Sequence, residues 1–155
     1  MRTLAIDLGT RRIGLALSDE GGRLATPLDV LQVTAPEQAI DPIAKLSARE
    51  GVQRIVVGLP LNMDGTRGPK ARETISWART LQRAFAEAAV AATVLFVDER
   101  LSSFDAEQQL IHRKRGGEKI TRKSKREQLD ALAAATFLQE FLDGKLPTID
   151  VESAI

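Results

Sequence analysis

Apolar runs of strand length dominate the start of the chain. Residues 3–8, 13–18 and 25–33 are three such runs, and only short turns separate them. Strands joined by short connections usually pair as antiparallel neighbours. The pattern therefore predicts a three-stranded antiparallel meander over the first 33 residues.

Helices and strands alternate after the meander. The apolar spacing predicts helices over residues 34–50, 69–89, 102–112 and 124–142. Two strands are predicted between them, over residues 54–58 and 94–97. The first helix is expected to begin with a capping box in which Glu37 returns to Thr34, and to stop at Gly51. This order indicates an α/β fold with a mixed sheet, an antiparallel meander plus parallel strands, flanked by helices.

The length of 155 residues fits one domain, which we place over residues 1–142, with residues 143–155 as a loose C-terminal tail. Hydrophobic residues make up 43% and charged residues 28%, as in an ordinary folded globule. The absence of cysteine excludes disulfides, thiolate zinc sites and cysteine nucleophiles. No apolar run is long enough for a membrane span, and no signal peptide precedes the first strand. We therefore expect a cytoplasmic protein without membrane partners.

Positive charge is concentrated in one stretch, although the formal net charge is only +1. Residues 113–126 contain eight Lys or Arg and one acid. Such a cluster can bind a polyanion, and the alternative is a solvated basic loop. Because the chain has no Tyr and one Trp, base stacking on a single strand is a poor expectation. Duplex or structured nucleic acid, held by its backbone, fits better.

Three acidic residues occupy positions that usually exclude charge. Asp7 lies inside the first strand, and Glu99 follows the strand over residues 94–97. Asp130 shares one helical face with Phe137 and Phe141. Buried carboxylates are costly unless they are paired, hydrogen-bonded or bound to a metal. The three acids together therefore suggest one divalent-cation site.

Each acid also has a simpler interpretation. Asp7 could be a partly exposed acid on a polar face, Glu99 could pair with Arg100, and Asp130 could pair with Arg126. Hard cations such as Mg²⁺ or Mn²⁺ prefer carboxylate oxygens, and such ions support phosphodiester hydrolysis. With one histidine and no cysteine, metal-assisted hydrolysis is the chemistry this chain can most easily support.

Four segments carry a resemblance to a known family. Residues 6–14 (IDLGTRRIG), 57–65 (VGLPLNMDG), 97–103 (VDERLSS) and 130–134 (DALAA) are similar to the motifs of the YqgF family, in the family's order. That family is described both as pre-16S rRNA nucleases and as Holliday junction resolvases. The resemblance extends from residue 3 to about residue 142.

The resemblance implies an RNase H-like fold and a catalytic, metal-binding triad of Asp7, Glu99 and Asp130 that holds Mg²⁺ or Mn²⁺. Many RNase H-like nucleases have a fourth acid near the last one, whereas residues 131–134 here contain no carboxylate. One metal and two metals therefore both remain open. The predicted nucleic-acid contacts are Arg12, Asn62, Arg100, Arg113, Lys114, Arg115, Lys119, Arg122, Lys123, Lys125 and Arg126.

The leading functional prediction is a metal-dependent endonuclease acting on structured nucleic acid, first of all at the 5′ end of the 16S rRNA precursor. One alternative is a Holliday junction resolvase acting on branched DNA, which should be a symmetric dimer. A trimming nuclease could act as a monomer or weak homodimer. A second alternative is a non-catalytic RNA-binding module in ribosome assembly. Phosphotransfer of the actin–hexokinase kind would need a second domain, for which 155 residues are too few.

Overall fold

The computed structural model describes residues 1–102 and 122–151, and it describes side chains throughout these ranges except at 122–127. The strands are β1 Thr3–Leu8, β2 Arg12–Ser18, β3 Ala25–Gln32, β4 Arg54–Leu59, β5 Thr93–Asp98 and β6 Thr148–Ile149. The helices are α1 Ile40–Glu50, α2 Pro69–Glu87 and α3 Arg122–Leu142, with 3₁₀ turns at Pro36–Ala39 and Glu99–Leu101. The helix predicted over 102–112 and the basic residues 113–121 lie outside the described residues, apart from Ser102.

The six strands form one mixed sheet in the order β3-β2-β1-β4-β5-β6. Strand β1 pairs antiparallel with β2 on one side and parallel with β4 on the other. Strand β5 continues the parallel half, and β6 returns antiparallel to it. The predicted fold class, an antiparallel meander joined to parallel strands, is confirmed. None of the described helices combines the length and apolar character needed to cross a bilayer.

Alternation along β1 assigns its residues to two different cores. Leu4 and Ile6 belong to the core that α1 and α2 cover. Ala5 belongs to the opposite core, where α3 packs with Ala134 and Phe137 fully or almost fully buried. Because side chains alternate in a strand, Asp7 falls on the same face as Ala5, beneath α3. Small residues on this face allow the helix to lie close to the sheet.

The predicted capping box is wrong by one residue. The helical turn begins with Pro36 in its first position, so Gln38 occupies the third position that the prediction gave to Glu37. The Thr34 amide donates to Gln38 Oε1 at 2.8 Å, and Gln38 Nε2 donates to Thr34 Oγ1 at 2.8 Å. The predicted stop is confirmed, since Gly51 ends α1 with a φ of 66°.

The prediction of a loose tail is also wrong for residues 143–151. Strand β6 pairs with the free edge of β5, and Leu146 and Val151 are buried. The Arg67 guanidinium donates to the carbonyl oxygens of Asp150 and Val151, each at 3.1 Å. The unpaired backbone edge of β5 explains why a short segment with few apolar residues folds here.

We expect a chain that ends at residue 144 to be less stable than the full chain. Loss of Leu146 and Val151 removes two buried side chains, each contributing about 1.5–3 kcal/mol to the free energy of unfolding. Urea denaturation followed by circular dichroism measures this. The matched control ends at residue 151 and should unfold like the full chain; equal stability of all three would contradict the packing of this segment.

Candidate active site

The site is built around Asp7, which lies one residue before the end of β1. On the β2 side, Asp7 is in register with Gly14. On the β4 side, the register that pairs Ile6 with Val57 continues towards Gly58. Both flanking positions therefore lack a side chain, and this leaves room above Asp7 for groups from elsewhere in the fold.

Gly14 brings α3 into contact with the sheet at Asp130. A Cβ atom at Gly14 would clash with the carbonyl oxygen of Asp130, so no side chain can be accommodated there. The backbone of α3 therefore rests directly on β2 at this point. Because neighbouring strands are about 4.8 Å apart, Asp130 enters the site close to Asp7.

Gly58 makes space for Glu99. Glu99 follows β5 directly, in the 3₁₀ turn, and its Oε1 lies 3.6 Å from where a Cβ of Gly58 would be. The ring of Phe137 also lies over Gly58, at 3.3 Å from the position that a Cβ would take. Glu99 thereby reaches across β4 and forms a side-chain hydrogen bond with Asp7.

The three acids influence one another electrostatically. Burial above all, together with a hydrogen bond that Asp7 donates to Glu99 and the negative charges of Glu99 and Asp130, raises the pKa of Asp7 from 3.8 to about 8. Asp7 therefore keeps its proton near neutral pH and directs it towards Glu99. A divalent cation can replace that proton, because it satisfies the same oxygen atoms with more charge. The donor set fits a hard cation such as Mg²⁺ or Mn²⁺.

The carboxylates are nevertheless not arranged as a finished coordination sphere. Within the described ranges, no three His, Asp or Glu side chains converge on one point as ligands. Asp130 has another partner, because Arg12 Nε donates to its Oδ2 at 2.7 Å. Arg12, predicted as a phosphate contact, thus lies against an acid predicted as a metal ligand.

A cleft of about 710 Å³ adjoins the acids. The residues after β1, the end of β4 and the first turns of α2 form its walls, and Glu99 and Asp130 line it. Three cations, Arg11, Arg12 and Lys70, line the same cleft. Ligands bind at the carboxyl ends of parallel strands in open α/β sheets, and this cleft lies there.

Arg100 lies next to the acids but is engaged with the protein itself. Its Nε and Nη2 donate to the two oxygens of Asp98, at 3.0 and 2.7 Å, and its Nη1 donates to the carbonyls of Asn62 and Met63, both at 2.9 Å. Hydrogen bonds from Arg100 hold the pKa of Asp98 below its usual range. Arg100 therefore fastens the loop after β4 to the end of β5.

Asn62 has a similar role within that loop. Its Nδ2 donates to Thr66 Oγ1 at 2.9 Å, and its carbonyl accepts from the amide of Gly65 at 2.9 Å. Its side chain also lies against Gly68, where a Cβ would be 2.8 Å from Oδ1. The nucleic-acid contacts predicted for Asn62 and Arg100 stay predictions, and the structure adds these packing roles.

The predicted residues therefore divide into four groups. Glu99, Asp130 and Arg12 line the cleft, and Asp7 is hydrogen-bonded to Glu99 behind them. Asn62 and Arg100 hold the adjoining loop. Arg122, Lys123, Lys125 and Arg126 lie in the first turns of α3, where side chains are not described. Arg113, Lys114, Arg115 and Lys119 lie outside the described residues. Sequence reasoning missed the buried Asp98, whose spacing of two residues from Arg100 was the available signal.

Replacing Gly14 by Ala should damage fold and site together. The added methyl group would force α3 away from β2 at Asp130, at a cost of about 1–3 kcal/mol in the free energy of unfolding. Urea denaturation and Mn²⁺ binding measure the two effects. Gly21→Ala is the matched control, since a Cβ there meets one atom at 3.5 Å, an ordinary contact. Equal stability of the Gly14 and Gly21 variants would argue against the close approach.

The raised pKa of Asp7 predicts a pH dependence of stability. Its ordinary value is 3.8 and its value in the fold is about 8, so unfolding releases a proton between these limits. The free energy of unfolding should fall as pH rises through this window, by at most about 1.4 kcal/mol per pH unit, and level off above pH 8. Asp7→Asn removes this dependence, and in EDTA at pH 8–9 the variant should melt above the parent.

The measurement is the melting temperature from pH 4 to pH 9, compared between parent and variant. Other carboxylates affect both proteins equally, so the difference curve isolates Asp7. Asp41→Asn, an exposed acid on α1, serves as the control and should follow the parent. Parallel curves for the parent and Asp7→Asn would show that Asp7 ionises normally.

The chain is similar to known proteins over nearly its whole length. The family model described as RuvX, Holliday junction resolvase, matches residues 1–144. A protein of Anaeromyxobacter sp. (strain K) named "Putative pre-16S rRNA nuclease" is 45% identical over 147 residues, covering 95% of this chain and all of that protein. A protein of the same name from Chloroflexus aurantiacus (strain ATCC 29366 / DSM 635 / J-10-fl) is 42% identical over 142 residues, covering 92% of this chain and 86% of its own.

Two solved structures of Thermus thermophilus RuvC share the fold. The one in complex with a Holliday junction substrate superposes with a TM-score of 0.55 at 18% identity, covering 96% of this chain and 99% of that chain. The other has a TM-score of 0.56 at 19% identity and covers 96% and 100%. At this identity the likeness concerns the fold, and it confirms the RNase H-like architecture. The match over residues 1–144 and the identities above 40% show that the chain belongs to the RuvX family.

Proposed function

We propose that this protein is a divalent-metal-dependent endonuclease that hydrolyses phosphodiester bonds in structured nucleic acid. The observation that carries the proposal is the meeting of Asp7, Glu99 and Asp130 beside a cleft that is also lined by cations. Membership of a family described by nuclease activity supports it. We propose that Mg²⁺ or Mn²⁺ is the cofactor; when bound, it would activate a water molecule and stabilise charge on the leaving oxygen.

The residues of the chain have distinct roles in this proposal. Asp7 would give up its proton when the metal binds, and Asp7 and Glu99 would then each offer an oxygen atom. Asp130 offers a third oxygen from α3. Arg12, at the rim of the same cleft, holds the phosphate group of the substrate through its guanidinium N–H groups.

We propose the 5′ end of the 16S rRNA precursor as the principal substrate. The names of relatives at 42% and 45% identity support this choice. The basic residues between 113 and 126 would bind the RNA backbone by releasing counterions, which predicts strongly salt-dependent binding. In this proposal the protein acts in the cytoplasm, where ribosomal RNA is trimmed, and it acts as a monomer or weak homodimer.

A Holliday junction resolvase is the second candidate, because the family model carries that description. Resolution requires two symmetric cuts, and therefore two active sites related by a dimer axis. The two candidates differ in the product: paired nicks at opposite strands of a junction, or a single trimmed RNA end.

The decisive experiment compares a 16S rRNA precursor fragment with a four-way DNA junction. Each is incubated with Mg²⁺, with Mn²⁺ and with EDTA, and products are resolved on denaturing gels. We expect metal-dependent cleavage of the RNA precursor. Asp7→Asn should reduce it by at least about 100-fold, since even residues that only support a metal ligand cost 10–100-fold.

Asp41→Asn makes the same change of charge at an exposed position on α1 and is purified in the same way, so it should cleave like the parent. An Asp7→Asn variant as active as the parent would contradict the assignment of the active site. Symmetric nicking of the junction without RNA cleavage would favour the resolvase. Salt-sensitive binding without cleavage of either substrate would favour a non-catalytic RNA-binding module.

A further inference from the structure

One ion pair joins a candidate metal ligand to a candidate phosphate contact. Arg12 Nε lies 2.7 Å from Asp130 Oδ2, a short distance typical of a charge-assisted hydrogen bond. The two side chains are 38% and 26% exposed, so water screens the pair only in part. Metal binding by Asp130 and phosphate binding by Arg12 therefore depend on the same ion pair, which can couple the two binding events.

The backbones on both sides of the pair are held in place. Arg12 begins β2, pairs with Gln32 of β3, and its carbonyl accepts from the amide of Gly9 at 3.0 Å. The backbone of Asp130 rests on Gly14. Any change in this contact must therefore come from the two side chains, above all from the long and flexible arginine.

Arg12 and a divalent cation compete for the same carboxylate. A guanidinium donating to Oδ2 occupies one lone pair, and its positive charge repels a second cation at that position. In the described ranges the acids do not converge on one point as ligands, although Asp7 senses the charges of both Glu99 and Asp130. Full use of Asp130 as a ligand requires Arg12 to leave it.

The cleft offers Arg12 another partner. Arg12 lines this cleft, and the structure shows no hydrogen-bond acceptor for its Nη1 and Nη2 within the described ranges. A phosphate group of a nucleic acid can accept from the guanidinium in the bidentate manner that arginine favours. A bound phosphate therefore draws Arg12 from Asp130.

We propose that Arg12 guards the metal site: it holds Asp130 until a substrate phosphate takes its place, so nucleic acid and divalent metal bind cooperatively. The inference rests on the proposed metal-dependent function and adds its regulation. By linkage, the factor by which nucleic acid strengthens metal binding equals the factor by which metal strengthens nucleic-acid binding. The device keeps the metal site incomplete in the absence of substrate.

The test measures Mn²⁺ binding to the full chain, using the electron paramagnetic resonance signal of unbound Mn²⁺. Titrations are done with no nucleic acid and with a saturating RNA hairpin from the 16S precursor end, at low temperature. Binding of Mn²⁺ to the hairpin alone is subtracted, and gels verify that the hairpin is intact afterwards. For the parent we expect the hairpin to increase Mn²⁺ affinity by about tenfold, within the usual 5–150-fold range of coupling.

Arg12→Ala should change both the Mn²⁺ affinity without RNA and the increase that RNA produces. Without the competitor, Mn²⁺ affinity in the absence of RNA should be higher than in the parent, and saturating RNA should add less than about twofold. Arg11→Ala is the matched control: the neighbouring arginine lines the same cleft and carries the same charge. It should retain the tenfold increase. If Arg12→Ala does not fold, Arg12→Gln keeps the length of the side chain and replaces it in every comparison.

The outcomes distinguish this inference from the proposed function. Coupling that persists in Arg12→Ala, or weaker Mn²⁺ binding by that variant without RNA, overturns the inference. If that happens while Asp7→Asn still abolishes Mn²⁺ binding, the metal site stands and only the guarding role falls. No Mn²⁺ binding by the parent in either condition overturns both. Loss of coupling in Arg11→Ala as well would assign the effect to general charge and overturn the role of Arg12.

Discussion

Asp7 is buried beside two other carboxylates, and the free-energy cost of that arrangement determines what surrounds it. A carboxylate removed from water must keep a proton, gain a hydrogen bond or bind a cation. In the fold, Asp7 is hydrogen-bonded to Glu99 and keeps its proton, because its pKa rises to about 8. The site is therefore poised to exchange that proton for a metal ion, because the ion removes the repulsion that the fold imposes.

Two arginines neutralise the remaining acids, and each acts differently. Arg100 binds Asp98 through Nε and Nη2 and holds the loop after β4 through Nη1, so all three of its nitrogens are engaged with the protein. Arg12 makes one described hydrogen bond to Asp130 and lies at the open cleft. The first arrangement stabilises the wall of the site, whereas the second can exchange its partner. Position within the fold, rather than residue type, makes this difference.

The location of the site follows from the topology of the sheet. Strand β1 lies at the centre, with β2 antiparallel on one side and β4 parallel on the other. The chain connections leave in opposite directions from this point, which creates a crevice at the carboxyl ends of the strands. The helix α3 covers one face and supplies Asp130, so residues more than 120 positions apart meet at the same crevice.

Much of this could be predicted from the sequence, because strand and helix periodicities are local properties. The order of strands and helices, the stop at Gly51 and the choice of Asp7, Glu99 and Asp130 needed only pattern and resemblance. The one-residue shift at Gln38 arose because the starting residue of a helix depends on backbone geometry that no periodicity encodes.

Only the tertiary structure decided which residues remote in sequence contact one another. It brought residues 143–151 to the edge of β5, and it paired Arg12 with Asp130 across 118 positions of sequence. It also showed that Gly14 and Gly58 are needed where they are, because α3 and Glu99 pass over them. The physical reason is that such pairings depend on distances between remote backbones. The sequence determined which side chains were available, and packing determined which of them meet.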